Sequence, residues 1–249
     1  MTDEPPPESV ANSDAVVHLA GEPVAQRWTP EVKASIRESR RRGTESLVRA
    51  IAAQPRRPAV LVCASAIGIY GSRGDEILTE SSTTAHDFLA EVCEDWERQA
   101  TAAEALGVRV AKVRIGVVLG KGGGALQKML PPFKAFVGGK VGSGNQWISW
   151  VHLDDVVGIL CHALTNPVRG VFNATAPNPV TNAQFTSELA SALGRPAIFP
   201  VPGFALKAMF GEMADILLNG QRVLPRATLD AGYKFQYPEL AGALRNILG

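Results

Sequence analysis

Ala59-Val60-Leu61-Val62-Cys63-Ala64, closed by Ser65 and followed by the turn glycines Gly68 and Gly71, is the stretch on which the fold turns. A strand with one face in water alternates apolar and polar residues. An unbroken apolar run therefore reads as a strand buried on both faces. The segment before it has a helical pattern. Thr29 as N-cap and Pro30 at the first helical position open a helix reaching about Ala53, with Ile36, Leu47, Val48 and Ile51 on its apolar stripe. Pro55 and Pro58 end it. Upstream, Ala15-Val16-Val17-His18-Leu19 leading into Ala20-Gly21 reads as another buried strand with its exit turn.

The alternation continues downstream. Asp87 to Leu106 reads as a helix, and Val108 to Ile115 as a strand running on into Val117-Val118-Leu119. Gly120, Gly122, Gly123 and Gly124 follow, then a short helix over about Ala125–Leu130 that Pro131 and Pro132 limit. Asp154 to Leu164 is the next helix and Gly170 to Ala174 the next strand. Beyond Thr175 the texture changes to helices near Asn182–Leu193, Phe204–Leu218 and Pro238–Leu248. Buried strands alternating with amphipathic helices make a parallel sheet covered on both faces: a doubly wound α/β domain with a smaller, mostly helical C-terminal part.

Composition narrows the function classes. The chain has 249 residues, 46% of them apolar, with 25 basic and 24 acidic side chains. That excludes wholesale disorder and supplies no field for a polyanion, so no nucleic-acid partner is expected. Cys63, Cys93 and Cys161 are few, odd in number and without metal-type spacing, which argues for a reducing compartment and against a disulfide scaffold or zinc. The longest apolar stretch, Ala59 to Gly71, has 13 residues. A membrane-crossing helix needs about 20, so no membrane partner is expected. Residues 1–13 are acidic and proline-rich with no apolar core, and read as a disordered tail rather than a signal peptide. The cytoplasm is the expected location.

Several motifs in fixed order carry a resemblance. They are Asp14 to Glu22, Ser65 to Gly71, Trp96-Glu97, Arg114 to Gly120, Trp150 to Asp155, Asn173 to Asn182 and Gly220 to Pro225. The chain resembles the extended short-chain dehydrogenase/reductases of the nucleotide-sugar epimerase group, and within them the epimerase-family, NADP-dependent oxidoreductase branch. That resemblance implies a Rossmann-like sheet over residues 14–175, a C-terminal substrate-side domain over 176–249, NADP as cofactor with NAD as the alternative, and a small-molecule substrate. It also implies a glycine-rich strand-to-helix turn for the pyrophosphate, which residues 1–13 do not supply. The expectation is an N-terminally truncated dinucleotide-binding domain, with one flank of the sheet exposed for self-association. The rival is a protein that keeps the fold as a non-catalytic binding or regulatory module.

Candidate site residues follow from both readings. Leu19-Ala20-Gly21 ends a parallel strand, where open α/β sheets bind ligands and a glycine lets backbone approach a ribose or phosphate. The plainer reading is a tight turn. By resemblance, Arg40 stands where relatives place an asparagine facing the nicotinamide ribose, and as an arginine it suits a phosphate instead. Ser35, about 140° away around the helix, shares at most the edge of that face, and Val118 offers backbone to the carboxamide. Against this, Arg37, Arg40, Arg41 and Arg42 form a basic run of the kind that solvent covers. Ser65 is the expected hydrogen-bonding serine of the reacting centre. The partner Tyr-x-x-x-Lys pair is missing, since counting back from Glu97 lands on Leu89 and Cys93. Tyr70 is a candidate stand-in acid/base, although a tyrosine before glycine at this turn is also common in relatives that keep the usual pair. Lys128 and Arg222 are candidates for an anionic substrate, with a surface lysine and a local ion pair as the plainer readings. Gly116 to Lys121 is one residue short of a P-loop and lacks its Ser/Thr. His152-Leu153-Asp154-Asp155 suits a helix N-terminus better than a metal.

Overall fold

A computed structural model describes residues 7–249; the first six residues of the expected tail lie outside the described residues. β1 (Ala15–His18) leads to α1 (Pro30–Ala52), where Thr29 Oγ1 accepts the Val32 N–H and Pro30 opens the first turn. β2 (Val60–Ala66) is buried along nearly its whole length. The two-residue β3 (Ile77–Leu78) precedes α2 (Phe88–Thr101), capped by Asp87 through the Ala90 N–H. Next come β4 (Arg109–Ile115), β5 (Val117–Gly120), α3 (Gly124–Lys134), β6 (Trp147–Ile148), β7 (Trp150–His152), α4 (Leu153–Thr165) and β8 (Gly170–Ala174). The C-terminal part holds β9 (Val180–Thr181), α5 (Asn182–Leu193), α6 (Gly203–Phe210), α7 (Ala214–Leu218), β10 (Arg222–Val223), α8 (Arg226–Asp230) and α9 (Leu240–Leu248).

The main sheet is parallel, in the order β1-β2-β4-β8. On one face α1 and α2 press Leu47, Ile51, Trp96 and Ala100 against Leu61, Cys63 and Val110. On the other, α4 lays Val156, Ile159 and Leu160 over Val60, Val62, Val113 and Phe172. Helices on both faces are the reason the strands read as continuous apolar runs. Among the described residues β1 is an edge strand, and Val17 beside Val62 is exposed. No helix among the described residues is long and apolar enough to cross a membrane.

Four expectations are corrected. The strand expected over Val108–Leu119 splits at Gly116, and β5 pairs with β7 instead of staying in the main sheet. A Cβ on Gly116 would sit 2.4 Å from the Ser149 carbonyl oxygen and 2.8 Å from Thr175 Cγ2, so the chain leaves the sheet where only glycine fits. α3 runs through Pro131 and Pro132 to Lys134. The carbonyls that lose donors belong to Gln127 and Lys128, which are exposed, so water can serve them, while buried Phe133 anchors the last turn. The helix expected over Phe204–Leu218 breaks at Gly211, whose φ of 60° is left-handed. The expected disordered tail also fails at Pro7–Val10, a 3₁₀ turn that buries Val10 against Leu47 and Ile51.

The C-terminal core is shared rather than separate. Phe185, Leu189, Leu240 and Leu244 pack with Leu119, Leu126, Phe133 and Trp150, which come from β5, α3 and β7. Buried Asp155 makes a second tie. Its carboxylate accepts the Gln236 N–H (2.7 Å), the Tyr237 N–H (3.0 Å) and the Tyr233 hydroxyl (2.9 Å). The role read from sequence, a first-turn carboxylate, is therefore only part of what Asp155 does.

Candidate functional site

The parallel register brings the strand ends to one edge. Ser65 lies beside Arg114, Ala66 beside Ile115, and Ile115 beside Ala174. Leu19, Ala20 and Gly21 continue from β1 at that edge and are exposed, Leu19 by 55%. Gly116 to Val118 leave the tip of β4 half-buried. Arg40 covers the β1 tip: a Cβ on Gly21 would come 2.9 Å from its Cζ. The guanidinium donates to the carbonyls of Glu22 (3.0 Å) and Ile36 (3.1 Å) and lies 4.9 Å over the Trp96 ring. Burial lowers the Arg40 pKa, yet a guanidinium keeps its charge at ordinary pH. Ser35 is exposed on α1, and the tip segment is held by Ser39 instead, whose Oγ accepts the Glu22 N–H at 3.0 Å.

Ser65 and Tyr70 are placed differently from the expectation. Tyr70 is 0% exposed. Its hydroxyl donates to Asn173 Oδ1 (2.8 Å) and accepts from Arg114 (2.9 Å), and burial pushes its pKa up. The structure therefore places the Tyr70 hydroxyl inside a buried hydrogen-bond network, with both its donor and an acceptor position occupied. Ser65 is also buried, with its Oγ donating to Glu97 Oε1 at 2.7 Å. Glu97 in turn takes two bonds from Arg114, at 2.7 Å through Nε and 2.8 Å through a terminal nitrogen. The serine thus belongs to the same buried network as Arg114 and Tyr70.

The neighbouring positions on α2 carry no proton relay either. Leu89 packs on Gly68, where a Cβ would lie 3.3 Å from its own Cβ. Cys93 is buried, and burial pushes its thiol up to about 11 and that of Cys63 up to about 12. Exposed Cys161 is therefore expected to be the one thiol that a chromogenic disulfide reagent titrates in the native chain, with all three reacting after denaturation. The same shifts set a pH dependence. An unfolded thiol ionises near the ordinary value of 9.0 while the folded ones hold their protons, so stability from this source falls as pH rises from about 9 toward 12. Native labelling of three thiols near neutral pH would contradict the burial.

The two candidates for an anionic substrate stand apart. Lys128 on α3 reaches across to the carbonyl of Ala25 (2.9 Å), bridging to the loop between β1 and α1. Arg222 lies 4.4 Å over the Trp147 ring with its Nε buried and without a partner, and Trp147 donates to Asp75 at 2.7 Å. β10 sits at the β8 end, since Thr175 donates to the Val223 carbonyl. Arg40 and Arg222 thus mark opposite ends of a four-strand edge about 14 Å wide. Sequence reasoning passed over Glu97, Arg114, Asn173 and Asp155 as site-forming residues. For Glu97, Arg114 and Asp155 a charged residue inside a buried strand or helix was the available signal, because such groups are buried only when paired.

Comparisons with known proteins identify the family. Residues 7–175 match the model of the NAD dependent epimerase/dehydratase family, and residues 201–247 match a domain of unknown function, DUF1731. The chain is 50% identical over 242 residues to the chloroplastic epimerase family protein SDR39U1 homolog of Arabidopsis thaliana, covering 96% of this chain and 70% of that protein. It is 40% identical to human SDR39U1, covering 99% of this chain and 86% of that protein. The crystal structure of human SDR39U1 (isoform 2) with NADPH superposes with a TM-score of 0.90 at 40% identity, covering 95% of this chain and 82% of that one. A parallel sheet with its tips on one edge, and sequence agreement along nearly its whole length, place this chain in the NAD dependent epimerase/dehydratase family.

Proposed function

We propose that the protein binds NADP(H), with NAD as the alternative, against the tips of β1, β2 and β4, and acts on a small substrate as an oxidoreductase or epimerase-like enzyme. The observation that supports it best is the common edge of Gly21, Ala66 and Gly116, reached by half-buried or exposed backbone. A relative at 40% identity solved with NADPH adds to it. Leu19, Ala20 and Gly21 would offer backbone to the ribose, Arg40 a cation beside it, and Val118 its backbone to the carboxamide. The missing side chain at Gly21 fits this, because a Cβ there would meet the Arg40 guanidinium. The cofactor, when bound, supplies the hydride chemistry; this chain orients it and holds the Arg40 charge at one end.

Titration with NADPH followed by cofactor fluorescence is expected to saturate. Gly21→Val is expected to weaken binding at least about tenfold, or about 1.4 kcal/mol. A folded wild-type chain that leaves the fluorescence unchanged at about millimolar cofactor would remove the proposal. A second reading, cofactor binding without turnover, is favoured by the sealed hydroxyl of Tyr70 and by Leu89 and Cys93 on α2. Bound NADPH that no carbonyl substrate oxidises would select it.

A further inference from the structure

We propose that the surface formed by the loops around Phe136 and Phe199 docks the protein onto an anionic lipid bilayer. The loop after α3 and the loop before α6 run side by side. The Phe199 N–H donates to the Gly138 carbonyl (3.1 Å), the Val201 N–H to that of Lys140 (2.8 Å), and the Gly142 N–H to that of Val201 (2.9 Å). Gly139 makes the approach possible, since a Cβ there would lie 2.0 Å from the Phe199 oxygen. Large apolar side chains on this loop pair face outward. Phe136, Val137, Ile198 and Phe199 are all exposed, Ile198 by 68%, and Phe204 at the start of α6 is 79% exposed. Large apolar side chains exposed together on two paired loops mark an interaction site.

Charge selects the partner. Residues 121–153 and 189–211 contain six lysines and arginines and no aspartate or glutamate. The rest of the chain has 19 basic against 24 acidic residues, so the cationic character is concentrated in these two segments. Lys134, Lys140, Arg195 and Lys207 from them are exposed and lie two or three residues along the chain from an exposed apolar side chain, with Arg195 4.2 Å over the Phe136 ring. Lys207 also faces Asp215 at 3.4 Å. A second copy of the chain would bring like charges together around the same apolar centre. An anionic membrane surface satisfies both features: apolar side chains enter the interface, and lysines and arginines meet the headgroups. The expectation of no membrane partner came from the lack of a spanning helix, which does not bear on a surface that lies against the bilayer.

The test is sedimentation of the whole chain with vesicles of phosphatidylcholine alone or mixed with phosphatidylglycerol. At low salt the mixed vesicles are expected to carry down at least about tenfold more protein than the neutral ones, and added salt should reduce this. The double substitution Ile198→Asp with Phe199→Asp should abolish the difference while circular dichroism and the NADPH titration stay unchanged. Should that variant misfold, Lys134→Glu with Arg195→Glu reverses two exposed charges, removing the Arg195 contact with Phe136 as well, and must give the same loss. Equal sedimentation with both vesicle types, or an undiminished difference in a folded variant, overturns the proposal. So does wild-type protein that pellets without vesicles when the variant does not, because a second copy would then cover the patch.

Discussion

Glu97→Ala is expected to destabilise the protein by about 3–5 kcal/mol, enough to unfold a marginal domain at physiological temperature. Glu97 and Arg114 are both buried and joined by two short bonds, 2.7 and 2.8 Å. Burial alone works against the Arg114 charge, but the hydrogen bonds and charge of Glu97 more than offset this and hold its pKa above the usual arginine value. Removing the carboxylate strands a guanidinium in the interior and takes the 2.7 Å acceptor from the Ser65 hydroxyl. The loss does not stop there. Arg114 holds Tyr70, Tyr70 holds Asn173, and Asn173 Nδ2 donates to the Leu224 carbonyl at 3.0 Å, so the network spans β2, α2, β4, β8 and the segment after β10. Urea unfolding followed by circular dichroism measures the change. Glu97→Ala with Arg114→Leu should recover part of the loss, since an apolar pair replaces a broken ionic one. A shift below about 1 kcal/mol in the single variant would show that water reaches the arginine, against its burial.

Trp150→Ala is expected to cost a comparable amount, about 3–5 kcal/mol, through a different cause. Trp150 is the largest fully buried side chain and stands on β7 amid Leu119, Phe185, Leu189 and Leu244. Truncation leaves a cavity at the centre of the shared C-terminal core. It also frees the Asn178 carbonyl, to which the indole Nε1 now donates at 3.0 Å. Trp150→Phe should lose less, about 1–3 kcal/mol, because most of the volume remains and the hydrogen bond is the main loss. Denaturant midpoints for the three proteins give the comparison. An alanine variant as stable as the wild type would mean that the layer built by α5 and α9 closes over the gap.

The main sheet was legible because its causes are local. The apolar run at Val60–Ala66 and the Thr29-Pro30 helix start form the expected elements to within a residue or two. The same is true of the helix over Asn182–Leu193, closed by Gly194 with a left-handed φ of 60°. Short pairings such as β3 with β10 and β6 with β9 were not legible, because two-residue strands carry no periodic signal and exist only where distant segments meet.

The candidate site divides along the same line. That Gly21, Ser65 and Gly116 close successive parallel strands follows from the order of elements, since parallel strands end on one edge. Which way each side chain turns does not follow from it. Ser65 and Tyr70 carry the right functional groups at the right positions in the chain, yet Glu97, Arg114 and Asn173 converge from α2, β4 and β8 to take up both hydroxyls. Sequence determined the sheet, its covered faces and the edge where ligands meet it, because burial periodicity and helix caps act over a few residues. Tertiary structure alone decided which polar groups face that edge and which are sealed beneath it, because a buried hydrogen bond is settled by every element that supplies a partner.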